Sequence, residues 1–551
     1  MKYLPKALFS PESSAIFDFI LELYHSYLGH DSLRKFLTYA ATFLSNVENY
    51  FGSGDQKFIP DVRSPRLSEL YDKISATIST RPPFALGYPS ESSQKYEVLL
   101  ASVQIQDSDD VQRSPLPKSK GVVRLAWDIL TAYIESFQTG SLDTYRDSQR
   151  MQVRDKAPRV KNIFGFVEPY HNPHGVKSKF KGLVAIADDE ETRLLTRLVE
   201  NSAKFIRRLP WAAAKWNDKK GPFEKNLFEP PDFASIHTLA YCSSIIFPGI
   251  NLPNYNDIRQ EDGFKNVIIS NRMIAESQAI QYSFIDSSEN DQFRKHKFQA
   301  YYWWVVLHGL LGHGTGKMMI EFEKGKYNFE IENRPINPIT RQPITSCSLA
   351  DLSTTIDECK AELVSAYLMD DPKLLELFGF TENSDIRAKE LTYNVYQQLG
   401  FDGLRGLSNF NADSGKWGHA HSRAHFSILK CLILDGDGVV TVIHDKGNQS
   451  LTVRVDQSKI SSHGKPALGR MLLPLHIYRC TADTGPCRKY YEELSRVEGE
   501  YIEWRETVLA NKLPPLVFAH ANTFLDGDTV TLKEYEPTIE GIIKSWAERK
   551  V

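Results

Sequence analysis

Apolar residues recur at intervals of three and four in AIFDFILELYHSYL and VVRLAWDILTAYIESF, which predicts helices within residues 1–150. FGSGDQKFIPDVRSPR and QDSDDVQRSPLPKSKG, rich in Pro, Ser, Gly and charge, read as loops between them. From Asn162, IFGFVEPYHNPHG and FKGLVAIADD predict two short strands across a turn. DEETRLLTRLVENSAKFIRRLPW has the pattern of an amphipathic helix ended by proline, and the polar WNDKKGPFEKNLFEPPDF after it marks a lobe boundary. Further on, NSDIRAKELTYNVYQQL predicts a helix, and VVTVIHDKGNQSLTVRVD alternates β-branched residues about a Lys-Gly-Asn turn, as a hairpin does. There are no internal repeats.

Two stretches break the ordinary pattern. YYWWVVLHGLLGHGTGK (Tyr301 to Lys317) sets His308 and His313 in an aromatic and aliphatic run, and TIDECKAELVSAYLM (Thr355 to Met369) carries Asp357, Glu358 and Glu362 on a helical pattern. Two imidazoles and a carboxylate make a zinc site. A spacing of four brings two histidines to within about 40° of each other around an α-helix, whereas the spacing of five found here separates them by roughly 140°. A shared metal therefore requires an extra residue bulged out between them, which Gly309 and Gly312 would permit. Taken singly, the histidines also read as core or capping residues and the acidic trio as a solvated helix face.

The chain has 551 residues, more than one simple core accommodates, and a formal net charge of −3 from 66 basic and 69 acidic residues. Neither the balance nor any local basic stripe suits nucleic acid or an anionic membrane. Mean hydropathy is −0.36, and the N-terminal MKYLPKALFSPESSAIFDFI interrupts with proline and acid where a signal peptide needs an apolar core. Six widely spaced cysteines without a CxxC fit reduced thiols. The expectation is a cytoplasmic enzyme, monomeric or dimeric, acting on a small molecule or short peptide.

Together, HGLLGH and DECKAE resemble the dipeptidyl peptidase III family, whose signatures are HELLGH and EEC[RK]AE. GFVEPYHNPHG (Gly165 to Gly175), PGINLPNYNDIRQEDGFKNV (Pro248 to Val267), WGHAHSRAHFSIL (Trp417 to Leu429) and SKISSHGKPAL (Ser458 to Leu468) look like family segments in the family's order. The resemblance covers roughly residue 155 to the C-terminus. It implies an α+β, two-lobed fold with a wide cleft: a mainly helical zinc-binding upper lobe (189–234 and 281–514) and a mixed lower lobe with a small β-barrel core (1–188, 235–280 and 515–551). It also implies one zinc ion held by His308, His313 and Glu358, with Asp357, Glu362 and Asn266 supporting those ligands. Glu168, Asn251 and Asn254 match substrate-binding positions; Tyr170 and His421 match catalytic ones. His419 and His425 stand where the family tends to have Gln and Arg, and are assigned here to substrate binding and catalysis respectively.

Several departures accompany this likeness. The residue after the first histidine is Gly309, where the family has the glutamate that takes a proton from water and passes it to the leaving amine. Pro514 and Pro515 stand where an arginine grips the peptide's carboxylate, and Lys181 where an acid is typical. These departures suggest a zinc-dependent enzyme of lyase or isomerase type, acting on a carbonyl-bearing small molecule by Lewis-acid and His/Tyr chemistry. The alternatives are a dipeptidyl peptidase III inactivated at position 309 and a non-catalytic peptide-binding protein.

Overall fold

A computed structural model describes residues 131–132, 135 and 142–548 apart from short intervals, the longest of them 329–351. The fold is α+β and mostly helical. In chain order the sheet-forming part contains α1 (Leu142–Arg154), β1 (Val160–Val167), β2 (Lys179–Ala187), α2 (Asp189–Ile206), β3 (Asp232–Cys242), β4 (Gly249–Leu252), α3 (Asn256–Glu261), β5 (Lys265–Ile269) and α4 (Ser270–Ser277). The helical part follows with α5 (Asn290–Leu307), α6 (Ser353–Leu368), α7 (Pro372–Leu377), α8 (Ala388–Gly406), α9 (Ala420–Asp435), the hairpin β6–β7 (Val440–Asp445 and Ser450–Val455), α10 (Lys465–Thr481), α11 (Thr484–Leu494) and α12 (Glu500–Ala510). Among the described residues no helix is long and apolar enough to cross a membrane.

The five strands run in the order β1-β2-β3-β5-β4, antiparallel except for the parallel β3–β5 pair. This corrects the expected β-barrel core. Closure would require the two outer strands to pair, and β4, four residues long, is bonded to β5 and not to β1. What forms instead is an open sheet with different partners on its two faces. Ala234, Ile236, Ile250, Leu252, Val267 and Ile269 belong to the sheet's own core, while Phe233 and Ile268 belong to the large helical core. The two-residue period of a strand produces this division.

The sheet abuts α5 closely: a Cβ on Gly249 would lie 2.9 Å from Val305 Cγ1. Asn251 and Asn266 are register partners on β4 and β5, on the face that looks toward the helices. The N-terminus of α2 is capped by the Asp188 carboxylate, which accepts from the Glu190 and Glu191 amides at 2.9 and 2.8 Å. The expected hairpin is present, its turn closed by Asp445 accepting from Gly447 N and Asn448 N. Cys359, Cys431, Cys480 and Cys487 are buried free thiols. The helices expected near Ala15 and Val122 lie largely outside the described residues.

Candidate active site

The widened turn that a spacing of five demands is there. At the end of α5, residues His308–Gly312 form a π-helical turn in which His313 N donates to His308 O at 3.0 Å, an i→i+5 bond. In such a turn the residue five positions on returns to the face of the first, and the two imidazoles meet edge-on with centroids 4.7 Å apart. Gly312 brings α6 up to this turn. A Cβ there would fall 2.7 Å from both Cα and Cβ of Ala361, so the two motif segments touch only because one residue is glycine and the other alanine. Gly312→Ala is expected to cost about 1–3 kcal/mol through this overlap; an unchanged urea unfolding midpoint would show that the contact is not tight.

The ligand atoms then converge. His308 Nε2 and His313 Nε2 lie 3.3 and 3.4 Å from Glu358 Oε2, and His421 Nε2 approaches the same oxygen at 3.4 Å. Behind them, Asp357 Oδ2 accepts from His313 Nδ1 at 3.0 Å. Glu362 Oε1 faces His308 Nδ1 at 3.5 Å, His421 Nδ1 at 3.0 Å and His425 Nε2 at 3.1 Å. His425 thus reaches Glu362 rather than Glu358, where His308 and His313 meet. His419 caps α9, its Nδ1 accepting from Ser422 N at 3.3 Å, which leaves the ring proton on Nε2. Asn251 donates to Asn266 Oδ1 and, at 3.3 Å, to the Gly309 carbonyl. Glu168, Tyr170, Asn254, Pro514, Pro515 and the side chain of Lys181 lie outside the described residues.

Several supporting residues carried no signal in the sequence. Arg479, 122 residues beyond Asp357, donates to its Oδ1 through Nε and to the Gly316 carbonyl at 3.3 Å. Trp304 Nε1 donates to Glu362 Oε2. The fully buried Lys360 donates to Thr315 O at 2.9 Å, and Glu224 accepts from Gly316 N at 3.1 Å. The loop leaving His313 is therefore tied down on several sides. No residue-type rule points to these groups, because their roles arise from contacts between distant helices.

Electrostatically the site is a group of buried carboxylates that requires positive charge. Burial would raise the pKa values of Asp357, Glu358 and Glu362, but nearby cations and histidines hold all three well below the usual carboxylate range. Burial lowers the His308 pKa less than Glu362 and Glu358 raise it, and the result is about 10. Among the described residues, Glu358 Oε2 is buried without a hydrogen-bond partner, a costly state for a carboxylate oxygen. A divalent cation among His308, His313 and Glu358, one of two such groups among the described residues whose ligand atoms lie within 4.8 Å of one another, would supply that charge. These N,O ligands suit zinc. The other group is His308, Glu362 and His421.

Glu224 gives a separate pH prediction. Burial pushes its pKa from 4.5 up to about 7, against hydrogen bonds from Gly316 and Trp211 and the charge of Lys360. With the folded pKa raised, its contribution to stability is fully present below about pH 4.5 and lost as pH rises through about 7. Wild type is therefore expected to lose stability relative to Glu224→Gln between about pH 5 and pH 8, by on the order of a few kcal/mol. Parallel thermal-melt curves for the two proteins across that range would refute it.

A family model described as Peptidase family M49 matches residues 124–550, beginning earlier than the motifs alone indicated. The human protein named Dipeptidyl peptidase 3 is 36% identical over 440 residues, covering 76% of this chain and 58% of its own length. Its Dictyostelium discoideum counterpart is 30% identical over 604 residues, covering 93% of this chain and 85% of its own. The chain thus spans a little over half the length of the mammalian relatives it matches. Among solved structures, DPP III from Caldithrix abyssi aligns with a TM-score of 0.54 at 15% identity, over 82% of this chain and 77% of that one. Dipeptidyl-peptidase III from Corallococcus sp. strain EGB aligns with a TM-score of 0.55 at 17% identity, over 91% of both chains; at these identities the likeness is one of fold. None of these similarities supports the expected lyase or isomerase chemistry, and the peptidase alternative fits better.

Proposed function

Since this chain belongs to peptidase family M49, we propose that it is a zinc-dependent dipeptidyl peptidase, releasing dipeptides from the N-termini of short peptides, with turnover held down by Gly309. The observation that carries this reading is the meeting of His308 Nε2 and His313 Nε2 at the buried Glu358 Oε2.

Zinc, when bound, supplies a Lewis acid and lowers the pKa of a coordinated water. The chain's own groups do the rest. Asp357 accepts the Nδ1 proton of His313 and so turns its Nε2 inward. Glu362 does the same for His421, which holds that ring with its Nε2 toward Glu358 Oε2. Asn251 lies on a strand beside the site, suited to hold the peptide backbone. What is missing is a proton carrier at position 309, and losing general acid–base help typically costs about 10²- to 10⁴-fold.

The test is product analysis with zinc-stripped and zinc-restored protein acting on short unblocked peptides. Slow, metal-dependent release of N-terminal dipeptides is expected. Release of single amino acids, or turnover of a carbonyl compound without peptide cleavage, would contradict the proposal.

A further inference from the structure

Asp357 and Glu362 each accept from an imidazole, and each has its far oxygen taken by a donor from another helix. Asp357 Oδ2 accepts from His313 Nδ1 at 3.0 Å, while Oδ1 accepts from Arg479 Nε. Glu362 Oε1 accepts from His421 Nδ1 at 3.0 Å, while Oε2 accepts from Trp304 Nε1. The terminal torsion of a carboxylate side chain is broad and roughly two-fold, so α6 by itself does not fix the plane in which the oxygens lie. A donor on the second oxygen removes that freedom.

For Asp357 the fold puts that donor in an unusually constrained place. Arg479 lies in the last turn of α10, its side chain 11% exposed, and the chain leaving His313 runs back against the same turn. Gly316, at φ 94°, presents its carbonyl to Arg479 Nη1 at 3.3 Å, and Met319 N donates to Cys480 O at 2.8 Å. A Cβ at position 316 would lie 3.1 Å from that Nη1, so glycine there also leaves room for the guanidinium. The rigid fork of an arginine can serve two acceptors at once. One group therefore holds both the acceptor of the His313 proton and the segment that follows His313. Lys360 Nζ, 3.6 Å from Asp357 Oδ1, donates instead to Thr315 O at 2.9 Å; it adds charge without orienting the carboxylate.

We propose that Arg479 is a positioning residue for the zinc site, fixing the Asp357 carboxylate so that it holds the His313 ring with Nε2 toward Glu358. The inference rests on His313 being a metal ligand, as the peptidase reading has it. Because Arg479 acts through a ligand's hydrogen-bond partner, it governs how tightly the ion is held and in what geometry.

The test measures zinc affinity of the full chain by competition with a chelating dye. Arg479→Met is expected to weaken binding about tenfold or more, and Arg479→Lys, which keeps a donor and a charge, to weaken it less; an equal or greater loss in the lysine variant overturns the proposal. A double-mutant cycle with Asp357→Ala then places the effect. If Arg479 acts through Asp357, the double variant binds zinc as Asp357→Ala does, whereas losses that simply multiply show an independent, structural role and overturn the proposal. Visible spectra of the cobalt-loaded proteins give a readout apart from affinity: the ligand-field bands are expected to shift alike in Arg479→Met and Asp357→Ala, and unshifted bands in Arg479→Met count against it. Should Arg479→Met fail to fold, Arg479→Lys takes its place in the cycle. If Asp357→Ala weakens zinc binding and Arg479→Met does not, the proposal fails and the peptidase reading stands. If neither weakens it, His313 is not a ligand, and the metal assignment behind that reading falls as well.

Discussion

Replacing Gly309 by glutamate is expected to raise dipeptide release from a dipeptidyl-arylamide by about 10²- to 10⁴-fold, the usual range for general acid–base catalysis. The residue follows His308, whose Nε2 faces Glu358 at 3.3 Å, so a carboxylate built there reaches the region where water and the leaving amine meet. The backbone is already suited to it: position 309 lies within a regular π-helical turn, and no left-handed conformation holds it to glycine. The steric demand is small. A Cβ would come 3.2 Å from Asn266 Oδ1, which a shift of a few tenths of an ångström in that amide relieves. The effect should fall on kcat rather than KM, since the lost interaction belongs to the transition state. An increase of less than about tenfold in a folded, zinc-loaded variant would mean that the chain's other departures, and not the missing carboxylate, limit peptide hydrolysis.

Glu358→Ala is expected to have the largest effect on the metal. It removes the oxygen on which, among the described residues, both His308 and His313 converge, leaving two imidazoles to hold the ion. Loss of an outer hydrogen-bond partner typically costs about 10- to 100-fold in metal affinity, and that smaller figure is expected for Asp357→Asn, which alters only the acceptor of the His313 Nδ1 proton. Zinc affinity measured by competition with a chelating dye should therefore fall in the order wild type, Asp357→Asn, Glu358→Ala. In the Gly309→Glu background the same order should appear in hydrolysis at limiting zinc. If Glu358→Ala bound zinc as tightly as wild type, the ligand assignment would be wrong, and the neighbouring group of His308, Glu362 and His421 would take its place.

The sequence alone determined the local parts of this protein. The spacing between His308 and His313 forces a widened turn if the two are to share an ion, a conclusion that needs only helix geometry, and the π-helical turn is found there. The hairpin from Val440, the helix from Asp189 and the acidic run of α6 were equally legible, because short-range periodicity and turn chemistry decide them. Family motifs extended the reading to the α+β architecture, yet they suggested a barrel where the strands form an open sheet. Strand order depends on pairing between segments far apart in the chain, which composition and periodicity do not record.

Tertiary structure alone decided how the parts meet. It closes α6 on the π-helical turn through Gly312 and Ala361, and brings Arg479 to Asp357 and Trp304 to Glu362. It turns His425 toward Glu362. It also sets the unsatisfied amide of Asn266 against Gly309. Each of these depends on packing distances of a few ångströms between residues tens to more than a hundred positions apart. The sequence could name candidate ligands, but burial and close approach set their charges and decided which neighbours support them.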